Sequence, residues 1–173
     1  GKPVIIHGDG TSLWTMTHNS DFAPGFIGLL GNPHALGQAV HIMSPESMTW
    51  NQIYEVVANA LGVKLNAVHI STDFLAARLG GRGGLLAAAG GGKYDFTGSL
   101  TGDKSNSVVF DISKLKRLVP GFAPVKSMEQ GLRETVQNVL AHPELQREDP
   151  EFDAWCDRVI EARQKALDSL QQG

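Results

Sequence analysis

Six histidines, a single cysteine and three tryptophans are the side chains of this 173-residue sequence best suited to catalysis or ligand contact. The histidines are dispersed, with no His-x-x-x-His pair, and Cys156 has no cysteine partner, so metal-ligand spacing is absent. No Gly-x-Ser-x-Gly elbow occurs, no Walker loop, and no Gly-x-Gly-x-x-Gly joins a strand to a helix. A tyrosine with a lysine four residues on, an acid–base pair for hydride transfer, is also missing: Tyr54 is followed by Ala58 and Tyr94 by Gly98. The run GGRGGLLAAAGGG follows no strand and reads as flexible backbone, not as a phosphate cradle. What is left is a set suited to lining a pocket. Trp14 offers a broad apolar face and one N–H donor, and His18 can donate, accept or carry charge. Phe74 and Tyr94 flank the glycine-rich run, beside Asp73 and Lys93. Each has a structural alternative: core packing for Trp14, a capping bond for His18, a loop position for the other two.

The elements that must position these residues follow from local pattern. Val4, Ile5 and Ile6 predict a strand ended by Gly8-Asp9-Gly10, and 11–17 a second short strand. Ser20 and Asp21 predict a helix start with Ser20 as N-cap and Pro24 in its first turn, stopped by Gly31-Asn32-Pro33. A strand is expected over 38–43. Thr49 and Gln52 form a capping-box pattern, and the helix behind them closes at Gly62. Strands are expected over 67–70 and 107–110, with a turn at Asp103-Lys104 before the second. A short helix capped by Asp111 or Ser113 runs through Leu118. Ser127 and Gln130 open another helix, and a last one starts at Asp149-Pro150. The sum is mixed α/β.

Bulk properties narrow the class. The net charge of −3 and pI near 6.1 give no electrostatic case for nucleic acid or an anionic membrane. No apolar run approaches the roughly 20 residues a membrane helix needs. One cysteine suits a reducing compartment, so a cytoplasmic location is expected.

Three stretches, PVIIHGDGTSLWTMTHNSDFAPGFIGLL, QAVHIMSPESMTWNQIYEVVANALG and TGDKSNSVVFDISKLKRLVPGFAPVKSMEQGLRETV, resemble in order and spacing the C-terminal half of the extended short-chain dehydrogenase/reductases of the NAD-dependent epimerase/dehydratase type. The resemblance runs to about Val139. It implies an α/β fold, the C-terminal portion of an extended short-chain dehydrogenase, lacking most of the N-terminal Rossmann domain. It also implies why the chain opens abruptly inside a strand: residues 1–173 would be the substrate-binding lobe of a longer enzyme. Residues 20–43 would pack on the absent sheet, 74–106 would form a flexible glycine-rich substrate loop, and 149–173 the C-terminal helix.

The same resemblance implies NAD or NADP in the full-length parent, with none expected on this piece alone. A small-molecule substrate would be shaped by Trp14, His18, Phe74 and Tyr94, with no catalytic residue on this chain. Members acting on nucleotide-sugars commonly carry arginines where Trp14 and Leu100 stand here. Neither replacement can fork onto phosphate oxygens, so a less charged substrate is expected. An apolar face including Phe22, Phe26, Val40 and Ile42 is expected to be exposed and to favour self-association. A free-standing binding or assembly module is the alternative.

Overall fold

Val4, Ile5 and Ile6 do lie in a strand, and its partner is the stretch Ala67–Ile70. In the computed structural model, which describes residues 1–76, 94 and 96–171, β1 (Val4–His7) runs parallel to β4 (Ala67–Ile70) with Val4 opposite Ala67 and His7 opposite Ile70. β2 (Leu13–Trp14) and β3 (Met48–Thr49) pair antiparallel. Two-stranded sheets are marginal without packing, and helices supply it here. In chain order they are α1 (Asn19–Leu29), α2 (Trp50–Ala60), α3 (Thr72–Leu75), α4 (Thr97–Ser99), α5 (Ser113–Leu118), α6 (Met128–Ala141) and α7 (Pro150–Gln171). α7 packs on β1, and α2 packs on α6.

Two apolar clusters hold these elements. Ile70, Leu75, Leu100, Trp155 and Val159 form one, which joins β4 and α7. Ile112, Leu115 and Phe122 form the other, covered by Val40, Ile42 and Met43. α1 reaches this second cluster through Gly25, where a Cβ would stand 2.8 Å from Ile42 and 3.0 Å from Phe122. Buried Asp21 locks the same helix to the chain ahead of α6, accepting from the backbone N–H of Val125 (3.1 Å) and Lys126 (3.0 Å).

Several sequence expectations need correcting. No strand forms over 38–43. Its apolar side chains pack on the second cluster, and no described strand lies beside it to complete a ladder. Residues 107–110 form no strand. Val108 N–H reaches Leu13 O at 3.1 Å, while the Leu13 N–H goes to the Ser107 hydroxyl at 3.0 Å and not to a backbone carbonyl. Asp103 and Lys104 end a π-helical turn, Leu100–Lys104, closed by Ser105 N–H to Leu100 O at 3.0 Å. The strand expected over 11–17 shrinks to β2. The N-cap of α1 is His18, not Ser20, which moves the helix start upstream and leaves Pro24 beyond the first turn. The glycine-rich run, 80–92, lies outside the described residues.

Candidate functional site

A polar cleft of about 780 Å³ opens at the carboxyl ends of β1 and β4, the end of parallel strands where ligands gather in α/β folds. β1 ends at His7. The Gly8-Asp9-Gly10 turn then reverses the chain, with Gly8 and Gly10 at φ 60° and 72°. Asp9 accepts from the Thr11 hydroxyl (2.6 Å) and backbone N–H (2.9 Å), and these bonds hold its carboxyl below the usual range. Across the cleft, Ser71 caps α3, and the Thr72 and Ser105 hydroxyls meet at 2.6 Å. Ser12 and Ser107 complete a wall rich in hydroxyl groups.

Asn51 ties the turn to the second strand. Its amide donates to Asp9 O at 2.9 Å, and its side-chain oxygen accepts from His69 Nε2 at 2.8 Å. The Lys104 carbonyl does the same on the other side. It accepts from His7 Nε2 (3.0 Å), the Ser12 hydroxyl (2.9 Å) and Trp50 Nε1 (3.3 Å), so one backbone oxygen joins β1, the turn, α2 and the π-helical segment.

These bonds hold Nε2 of both His7 and His69 on amide oxygens, and the hydroxyls of Thr72 and Ser105 face each other. A nucleophile needs an adjacent base, and these bonds supply none. Among the described residues no cluster of three histidine, cysteine or acidic side chains could hold a metal ion. A dinucleotide does not fit these residues either: the turn after β1 leads to β2, and the one after β4 leads into a four-residue helix without a glycine cradle.

The four residues singled out from sequence fall in different surroundings. Trp14 sits 5.6 Å from Trp50, ring to ring, with Lys104 Nζ 5.2 Å above its face; that ammonium is shared with Asp103 at 3.3 Å. His18 caps α1 through Nδ1, which accepts from Ser20 N–H at 3.3 Å, and its Nε2 stands 3.8 Å from Glu134. Phe74 and Tyr94 pack on the Ile70–Trp155 cluster, where the Tyr94 ring meets Phe152 at 5.2 Å and Trp155 at 5.7 Å. Leu100 is in the core. Sequence reasoning missed the cleft's own lining, His7, Ser12, Thr72 and Ser105. Its one local signal was the Gly-Asp-Gly turn at a strand end.

No family model matches the sequence. Two curated proteins do, and the chain spans about a third of the length of each. One, 29% identical over 122 residues, is 2'-dehydrokanamycin reductase of Streptomyces kanamyceticus, with 70% of this chain and 30% of the reductase aligned. The other, 26% identical over 131 residues, is an uncharacterized UDP-glucose epimerase, YtcB, of Bacillus subtilis strain 168, with 76% of this chain and 32% of the epimerase aligned. Among solved structures, dTDP-glucose 4,6-dehydratase from Bacillus anthracis, in complex with NAD, superposes with a TM-score of 0.57 at 18% identity, covering 83% of this chain and 36% of the dehydratase. The fold is thus α/β, that of part of an extended short-chain dehydrogenase/reductase. Sequence and structure neighbours together point to the NAD-dependent epimerase/dehydratase family. No described helix is long and apolar enough to cross a membrane.

Proposed function

We propose that this chain is the substrate-binding lobe of an NAD(P)-dependent oxidoreductase or epimerase acting on a small, sugar-like molecule with hydroxyl or carbonyl groups. The observation that carries the reading is the hydroxyl-lined cleft at the strand ends, which offers hydrogen bonds in number. In this reading the nicotinamide and the tyrosine that moves the proton belong to polypeptide outside these residues, and the chain alone neither turns over substrate nor holds the dinucleotide. Trp14, His18, Phe74 and Tyr94 shape the pocket by fixing the elements around it.

The cleft suits an unphosphorylated substrate. Neither Trp14 nor Leu100 offers a forked pair of donors to a diphosphate, Leu100 is buried, and the ammonium over Trp14 is already engaged by Asp103. That one relative is a reductase of 2'-dehydrokanamycin supports the same direction. Saturation-transfer NMR on the 173-residue chain tests it with kanamycin, UDP-glucose and NAD. Kanamycin is expected to show contact that Thr72→Val with Ser105→Ala abolishes, while the other two show none. Preferential UDP-glucose binding, or tight NAD binding, would sink the reading.

A second reading, an assembly module of the same fold, is favoured by one observation: the bare apolar flank of α1, where Phe22, Phe26, Ile27 and Leu30 are exposed. Here the expected partner is a second copy of the chain.

A further inference from the structure

We infer, on the footing of the substrate-lobe reading, that the polar cleft at the ends of β1 and β4 takes a primary ammonium carried on a hydroxylated ring, so that its ligand class is the amino sugars. Charge is the first reason. Among the described residues lining the cleft, Asp9 is the one carboxylate, and no lysine or arginine stands with it. Its Oδ1 takes both bonds from Thr11, which leaves Oδ2 without a hydrogen-bond partner among the described residues. The same bonds favour the charged form, so the carboxyl stays ionised at neutral pH. Lys104 gives this wall only its carbonyl, because its ammonium lies over Trp14 and is paired with Asp103. A phosphate would meet Asp9 with no cation among these residues to offset it.

The direction of the hydrogen bonds is the second reason. The Thr11 hydroxyl donates to Asp9, and the Ser12 hydroxyl and His7 Nε2 both donate to the Lys104 carbonyl. Asn51 gives an amide N–H to Asp9 O, and this turns its side-chain oxygen toward His69 Nε2. That oxygen can only accept, so the neutral His69 ring carries its hydrogen on Nε2 and a lone pair on Nδ1. No described residue bonds that Nδ1. The donors of the turn are thus committed within the protein, while two acceptors, Asp9 Oδ2 and His69 Nδ1, are left for a ligand. An ammonium has three donors and no acceptor, and it complements them.

The rest of the lining suits the ring that bears the amine. The Ser71 and Ser107 oxygens accept backbone N–H groups, from Phe74 at 3.3 Å and Leu13 at 3.0 Å, and so keep their own hydrogens to donate. Of the two hydroxyls that meet between Thr72 and Ser105, one hydrogen is used in the pair and the other is left over. Hydroxyls that both donate and accept match those of a sugar, whereas the Asp9 and His69 side asks for a group that only donates.

Glucosamine and glucose differ by one amine and serve as probes. In ¹H–¹⁵N titrations of the 173-residue chain at neutral pH and low salt, glucosamine is expected to move the Asp9 and Thr11 amide signals saturably. It should bind about fivefold more tightly than glucose, the upper end for an exposed ion pair. Added salt should shrink that preference. Asp9→Asn keeps an oxygen for Thr11 to bond and removes the charge, and it should abolish most of the preference. Glu144→Gln, beyond α6 and outside the lining, should leave it unchanged. Glucose bound as tightly as glucosamine overturns the ammonium assignment and leaves the substrate-lobe reading standing. An equal loss in Glu144→Gln and Asp9→Asn also overturns it, since attraction would then be to overall charge, and so does a chain that binds neither sugar. Preference for UDP-glucose would take the assignment and the substrate-lobe reading down together. Should Asp9→Asn fail to fold, the wild-type comparison of the two sugars still decides.

Discussion

At the scale of single residues, the cleft depends on a turn with no room for a side chain at Gly10. Gly10 sits at φ 72°, and a Cβ there would fall against the Asn51 side chain. Asn51 is the residue that ties Asp9 to His69, so Gly10→Ala strains the backbone and breaks that tie together. The expected loss is about 2 kcal/mol or more, read as a lower urea midpoint with the His69 NMR signals displaced. A second residue-scale prediction concerns acid. The hydrogen bond from Lys126, then that from Gln130, holds the Glu134 carboxyl below the usual glutamate range, with His18 adding a weaker pull. A carboxyl lowered on folding stabilises fully above its unfolded value and loses that contribution as pH falls through its folded value. Glu134→Gln should therefore lower the unfolding midpoint at neutral pH. The difference from wild type should close progressively below about pH 4.3, the ordinary glutamate value. A gap that stays constant into acid would count against the pairing.

At the scale of elements, helix starts are where sequence and structure meet most directly. Thr49 and Gln52 form the complete box expected of them: Gln52 N–H donates to the Thr49 hydroxyl at 3.2 Å, and Thr49 N–H donates to the Gln52 side chain at 2.9 Å. α6 has only half of one. Ser127 accepts from Gln130 N–H at 3.1 Å, but the Gln130 amide turns to Glu134, and Glu46 takes the Met128 N–H at 2.7 Å. Thr49→Ala should therefore cost about 1 kcal/mol, and Ser127→Ala less, because Glu46 still supplies an acceptor; thermal or urea unfolding of the two variants gives the order. Caps are legible because their partners lie three residues apart. Strands are less so: β1 and β4 form where they are expected, but 38–43 and 107–110 have the composition of strands and form none, because a ladder needs a neighbour that local sequence does not name. The cleft was hidden for the same reason. Trp14 declared itself as a large ring, whereas the Lys104 carbonyl that gathers His7, Ser12 and Trp50 lies 54 or more residues from each. His18 was ambiguous between pocket and cap, because an imidazole nitrogen accepts a helix N–H as well as it meets a ligand.

At the scale of the whole molecule, the unbalanced feature is the flank of α1. The Phe22 and Phe26 rings stack at 5.9 Å while about half exposed, and Ile27, Leu30 and Leu36 extend the surface at 64, 63 and 78% exposure. Beside them a groove of about 300 Å³ runs between α1 and the chain at 35–42. The expectation from sequence included Val40 and Ile42 in this face, and both are instead half-buried on the chain's own second cluster. The bare surface is therefore shifted toward the end of α1 and the turn behind it. Contiguous apolar surface of this kind drives association, and a symmetric pairing would place each Phe26 against the other copy's flank. The chain should accordingly show concentration-dependent association in sedimentation velocity. Full burial of a phenylalanine contributes about 1.5–3 kcal/mol, and introducing a carboxylate adds its desolvation. Phe26→Asp should then weaken self-association by at least about tenfold, leaving the circular-dichroism spectrum unchanged because the side chain lies outside both core clusters. A wild-type chain that stays monomeric at all accessible concentrations would mean that no second copy covers this flank, and the assembly reading would fall while the substrate-lobe reading stood.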